Sequence, residues 1–106
     1  MIVSTTENLA GYEIVEVLGI TRGNVIRAKH VGRDIIAGLR NLVGGELDEY
    51  TKLLAEAREQ AYDRMIEHAR GIGADAIIGM RFTTATVMSG SAEILAFGTA
   101  VRTRRV

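Results

Sequence analysis

Two pairs of adjacent aliphatic residues, Ile77-Ile78 and Ile94-Leu95, sit inside stretches that otherwise read as β-strands. Successive side chains of a strand point to opposite faces of a sheet, so no register leaves one face of this hairpin polar. The hairpin spans residues 76–87 and 92–103, joined by Met88-Ser89-Gly90-Ser91 with Gly90 as the turn residue. Residues 12–20 repeat the property: Ile14, Leu18 and Ile20 lie on one side, Val15 and Val17 on the other. A domain this small has few helices with which to cover two apolar faces. One face must therefore meet something other than the chain's own helix.

The first strand resumes at Val25-Ile26-Arg27-Ala28. The intervening Thr21-Arg22-Gly23-Asn24 is read as a glycine bulge in one long bent strand, with a tight turn as the alternative. Residues 31–43 place Ile35, Ile36, Leu39, Leu42 and Val43 at helical spacing, which predicts a short amphipathic helix closed by Gly44-Gly45. Residues 46–70 predict a long helix with Leu47, Tyr50, Leu54, Ala57, Ala61, Met65 and Ala69 down one face and Ile72 just beyond. Ala57 and Ala61 let its backbone lie close on a sheet, while Asp48, Lys52 and Glu56 form a solvent-side ladder of alternating charge. Gly71 and Gly73 end it. The order of elements predicts an α+β fold of two layers, a mostly antiparallel sheet on one long helix plus a short helix, occupying residues 1–106 as a single domain. The uncovered face and the open strand edges predict a closed homo-oligomer.

Composition removes much chemistry. Lys+Arg and Asp+Glu both number 13, so there is no long-range field to recruit nucleic acid or an anionic membrane, and Arg102-Thr103-Arg104-Arg105 reads as a solvated cationic end. No cysteine is present, which excludes disulfides, thiolate nucleophiles and cysteine-ligated metal sites. The start lacks a signal-peptide pattern and no apolar run reaches bilayer length, so the expectation is a cytoplasmic protein. With no Pro, the chain turns on its 12 Gly, and an aromatic content of 5% suggests thin, closely apposed layers.

One set of residues runs nearly end to end and resembles the YbjQ family: Ser4-Thr5-Thr6, Gly11, Gly19, Gly23, Arg33-Asp34, Gly44-Gly45, Tyr50, Ala57-Arg58, Gly73-Ala74-Asp75-Ala76, Gly79 and Gly98-Thr99-Ala100-Val101. The family is uncharacterised, is also filed as UPF0145, and carries a label of heavy-metal binding. The resemblance implies a dodecin-subunit-like β-α-β-β fold and a ring, a pentamer. It implies no established activity.

The metal label meets few ligands. Met1, Met65, Met80, Met88, His30 and His68 are the available soft or borderline donors, and no two sit at a chelating spacing. His68, near the end of the long helix, reads as a surface residue. His30, in a strand-to-helix connection, is the weak metal candidate, made a site only if symmetry converges one His from each subunit. For an anionic ligand such as a phosphate or carboxylate, Arg33, Arg58 and Arg81 are the candidates, with Glu93 as a partner. Arg33-Asp34 also fits a helix-capping pair. Arg81 interrupts an apolar strand, so its charge must be paired or face a polar cavity. With the turn between Ser89 and Gly90, residues 81 and 98 lie opposite, which leaves Glu93 several positions from Arg81 within one chain.

Residues 71–76 look like a glycine-rich nucleotide fingerprint, but they follow a helix and precede a strand, the reverse of a phosphate-binding turn. No Ser/His/Asp set is visible, and the few aromatic side chains offer no platform for a flavin. The readings are, in order, a cyclic oligomer binding a metal or small anion at subunit interfaces, a structural or adaptor ring, and an enzyme with a composite site between subunits. Catalysis is the least favoured, and no catalytic residue or cofactor is assigned.

Overall fold

The computed structural model describes residues 1–27, 45–88 and 91–106. Among these, the elements run β1 (Ile2–Val3), β2 (Tyr12–Arg27), α1 (Gly45–Gly71), β3 (Ala76–Met88) and β4 (Ser91–Arg105). The short helix expected over residues 31–43, together with His30, Arg33 and Asp34, lies outside the described residues, as does the Ser89-Gly90 turn. The strands form one mixed sheet in the order β1-β3-β4-β2, with β1 parallel to β3 and the other pairs antiparallel. Helix α1 packs on one side of it, giving the expected two-layer α+β arrangement. β1 was not foreseen, since two residues are too few to show a period.

Strand β2 is continuous, as preferred, but its irregularities lie elsewhere than expected. Gly19 to Arg27 pair with Ala100 to Ala92 without interruption, and the register shifts fall earlier, where Val15 and Leu18 are the extra residues. Gly23 is needed for space. A Cβ built on it would lie 2.3 Å from the Ala61 carbonyl oxygen and 2.4 Å from the Met65 backbone nitrogen. The helix backbone therefore rests directly on the strand. Its contact stripe, Ala57, Ala61, Met65 and Ala69, repeats every four residues and is fully buried, with Leu54 half-buried beside it and Ile72 exposed past the helix end.

The helix stops at Gly73, whose φ of 89° is the left-handed conformation that glycine adopts without strain. The Gly73 N–H donates to the Arg70 carbonyl at 3.0 Å and the Ala74 N–H to the Ala69 carbonyl at 3.0 Å, the paired bonds of a Schellman closure. Gly71 is still helical and plays no part in the stop. Asp75 then accepts the Thr103 N–H at 2.9 Å and its hydroxyl at 3.0 Å, pinning the start of β3 to the end of β4.

Register assigns the two faces of the sheet. Val25, Ile77, Met80, Ile94, Ala96 and Ala100 join the helix stripe in the main core. On the other face Val101 and Ala76 are buried with Leu9, flanked by Tyr12, Ile14 and Ile78, but this second cluster covers only one end. Beyond it Val17, Ile20 and Ile26 are 65%, 71% and 55% exposed. The two register shifts put Val17 on the same face as Ile14 and Ile20 and turn Leu18 to the main core, not the division expected from strict alternation. Beyond that cluster, the apolar second face anticipated from Ile77-Ile78 and Ile94-Leu95 is left without a covering layer among the described residues. The outline is long for its mass: extents are 56 × 24 × 17 Å and the radius of gyration is 17.2 Å, against about 13 Å for a compact domain of this size.

Candidate functional site

The N-terminal segment after β1 wraps a bulge in β3. Between Ile78 (opposite Thr99) and Arg81 (opposite Phe97), Gly79 and Met80 face a single residue of β4, and Gly79 has a φ of 61°. Their displaced N–H groups are satisfied outside the sheet: Gly79 donates to the Thr6 carbonyl at 2.8 Å and Met80 to the Ser4 carbonyl at 3.0 Å. Side chains hold the segment in shape. The Thr6 N–H donates to Ser4 Oγ at 3.1 Å, the two hydroxyls lie 2.6 Å apart, and Thr6 Oγ1 donates to the Asn8 carbonyl at 2.6 Å. Since the Thr6 proton goes to Asn8, the Ser4 hydroxyl donates to Thr6. Both protons are thereby used. Ser4-Thr5-Thr6 is a clip over the bulge.

Arg81 completes that clip. Its Nη1 donates to the Thr5 carbonyl at 2.9 Å and to the Met80 carbonyl at 2.8 Å, and the residue is exposed. A charge in an apolar strand has here a plain structural partner, two main-chain carbonyls. Arg81→Ala is expected to destabilise the fold by about 1–2 kcal/mol through loss of these charge-assisted bonds. Hydrogen exchange at the Gly79 and Met80 amides should rise with it, and unchanged exchange there would separate Arg81 from the clip.

The remaining sequence candidates do not gather around it. Arg81 stands opposite Phe97, not Gly98 as expected, because the ladder shifts by one residue between Thr86 and Met88. Glu93 pairs with Ala85 on β3 and Ile26 on β2, and its Oε2 accepts the Asn24 side-chain N–H at 3.2 Å. Arg81 and Glu93 are thus four positions apart on the ladder, as anticipated. Arg58 is exposed in the helix layer, next to buried Ala57, whereas Arg81 and Glu93 belong to the opposite face of the sheet. Arg33 and His30 lie outside the described residues.

A different constellation links β2 to α1. Thr21 is the one buried polar residue among those described, fully enclosed where the helix crosses the strand. Its Oγ1 is 2.8 Å from the Met65 carbonyl oxygen and 3.0 Å from His68 Nδ1. The hydroxyl has one proton and the carbonyl can only accept, so Thr21 donates to Met65 and His68 Nδ1–H donates to Thr21. His68, read from the sequence as a free surface residue, is therefore oriented by a buried relay that ends on a main-chain carbonyl. The residue as a whole is exposed. Four residues earlier on the same flank, Arg64 Nη1 donates to the Asn24 carbonyl at 2.6 Å. Both side chains lie along β2, the outermost strand. The sequence held one usable sign: Thr21, Gly23 and Val25 alternate as a helix-facing row once the strand is read as unbroken.

As for metals, no three His, Asp or Glu side chains come together among the described residues, and the sequence holds no Cys. The described part of one chain does not supply a complete cage. Nor is any helix among the described residues long and apolar enough to cross a membrane.

Comparison with known proteins places these features in a family. The YbjQ family model, described as "Putative heavy-metal-binding", matches residues 1–104. A UPF0145 protein of Halorubrum lacusprofundi is 60% identical over 104 residues, covering 98% of this chain and all of its own. One from Archaeoglobus fulgidus is 55% identical over 104 residues, covering 98% of this chain and 96% of its own, and one from Thermus thermophilus is 57% identical over 102, covering 96% and 90%. A crystal structure of a protein of unknown function from Pediococcus pentosaceus, assigned to the DUF74 family, superposes with a TM-score of 0.60 at 20% identity over 98% of both chains. That likeness speaks to fold alone. With the family model and three close relatives all spanning nearly the whole chain, this protein belongs to the YbjQ family, UPF0145.

Proposed function

We propose that this chain acts as a cytoplasmic closed homo-oligomer, each subunit a single domain of residues 1–106, which binds a metal ion or small anionic ligand at the seam between subunits. The observation that carries this is the exposed sheet: Val17, Ile20 and Ile26 are exposed on the face away from α1, and among the described residues no strand pairs with the outer edge of the 16-residue β2. An unpaired edge and an apolar face on the same strand call for a partner of the same shape. The distal part of β3, beyond the clip that ends at Arg81, is the second edge without a paired strand among the described residues. Two different edges on one subunit make a head-to-tail contact, which closes into a ring when the rotation per subunit divides a full turn. The family resemblance suggests five subunits.

Within this reading Arg58, in the helix layer, and Arg81, on the opposite face of the sheet, reach an anion from different subunits, with Glu93, on the same face as Arg81, as an arginine partner. Native mass spectrometry of the freshly purified protein tests the proposal. The expected result is a single ring mass carrying an additional bound species that denaturation releases. A monomer at micromolar concentration overturns it, and a ring without bound species leaves only assembly.

A further inference from the structure

We infer that the open face of the sheet holds a small aromatic phosphate between Arg22 and Arg81, with its ring on Phe97. This rests on the anionic-ligand branch of the reading above and puts Arg22 of the same chain in the place of another subunit's Arg58. Register sets the three side chains in one row across the sheet: Arg22 on β2 pairs with Phe97 on β4, and Phe97 pairs with Arg81 on β3. The row faces away from α1. Thr21 and Gly23, on either side of Arg22, meet the helix, and Ala96, next to Phe97, lies in the main core. Two strand spacings separate the arginine Cα atoms by about 10 Å, with Phe97 midway. That span lets two arginine side chains lean over the ring and present their donor forks to one oxyanion.

Charge selects the ligand. Arg22 is exposed and makes no hydrogen bond, ion pair or ring contact among the described residues. Arg81 uses Nη1 on the neutral Thr5 and Met80 carbonyls, which fixes its guanidinium and leaves Nη2 and Nε for a ligand. Of the acids on the paired strands, Glu13 and Glu16 are matched by Arg104 and Arg102, and Glu93 is two rows away and accepts from Asn24. The row thus carries two positive charges with no carboxylate beside them among the described strands. A phosphate monoester is close to a dianion near neutral pH and matches both charges, whereas a carboxylate matches one. Phe97 selects the rest of the molecule. It is half-buried, so its ring is held in place with part of its surface open, and the next row adds Ile20 and Ile78 beside it. An aromatic ring stacks on such a surface, while a bare phosphate leaves it wet.

The test titrates the full chain with phenyl phosphate, inorganic phosphate and benzoate by isothermal calorimetry, while native mass spectrometry follows assembly in the same samples. Wild type is expected to bind phenyl phosphate about 10-fold more tightly than either of the others. Arg22→Gln, which removes no contact among the described residues, should weaken phenyl phosphate by about 10- to 100-fold, and Arg22→Lys should recover only part of that loss. Phe97→Leu should bring phenyl phosphate down to the affinity of inorganic phosphate. In wild type the Nε–H resonances of Arg22 and Arg81 should move as phenyl phosphate is added and that of Arg58 should stay. Phenyl phosphate that does not bind, binds no more tightly than inorganic phosphate, or binds Arg22→Gln undiminished would each overturn the assignment, whatever the state of assembly. A monomer whose phenyl phosphate binding depends on Arg22 would support it and overturn the seam reading instead.

Discussion

Gly23→Ala is expected to destabilise the protein by about 3 kcal/mol, the upper end for overpacking a close-packed contact. The added methyl has nowhere to go. It would sit 2.3 Å from the Ala61 carbonyl oxygen, 2.4 Å from the Met65 nitrogen and 2.6 Å from Arg64 Cβ, and the first two are helix backbone that cannot rotate aside. To make room, α1 must lift from β2, which separates Ala57, Ala61, Met65 and Ala69 from the sheet together and stretches the Thr21 relay. Gly71→Ala is the matched control: its Cβ would meet nothing within 4 Å, and alanine in a helix is favoured over glycine by about 0.5–1 kcal/mol. Thermal denaturation should show Gly23→Ala melting about 12 °C or more below wild type and Gly71→Ala at or above it. Equal melting of the two variants would mean that the helix does not rest on Gly23.

The same residue shows where the sequence was legible. Strand and helix periods are local properties, and they located the long helix within one residue at each end and kept β2 in one piece through a polar stretch. Which job a glycine performs is not local. Gly23 read as a source of backbone freedom because it stood among polar residues; its actual role depends on Ala61 and Met65, some 40 positions away, and no period in β2 registers them. Thr21 and His68 escaped for the same reason, 47 residues apart, each ordinary alone. Arg81 is the converse case. Its oddness in an apolar strand was visible, but its acceptor, the Thr5 carbonyl, is backbone 76 residues away and carries no side-chain signature. The doubled aliphatics did transmit their message, because pleating turns adjacency in sequence into opposite faces of a sheet whatever the rest of the chain does.

That message sets the second large prediction. If the proposed oligomer forms through this face, Val17→Lys combined with Ile20→Lys is expected to convert it into a folded monomer. Both side chains are mostly exposed within the subunit, 65% and 71%, so the substitutions remove little internal packing and the free subunit should fold. In a seam they behave otherwise. Each ammonium must lose its water against an apolar surface with no partner carboxylate provided, at a cost of about 3 kcal/mol, which is about two orders of magnitude in affinity. Two such charges on every subunit act at every contact of a closed ring, so the losses multiply around it. Lysine on an outer strand is also the device by which natural sheets prevent edge pairing. Sedimentation velocity should give a monomer whose far-ultraviolet circular dichroism matches wild type, whereas Val106→Lys, altering an exposed residue at the chain end, should leave the oligomer intact. A double-lysine variant that assembles as wild type does would place the proposed seam away from this face.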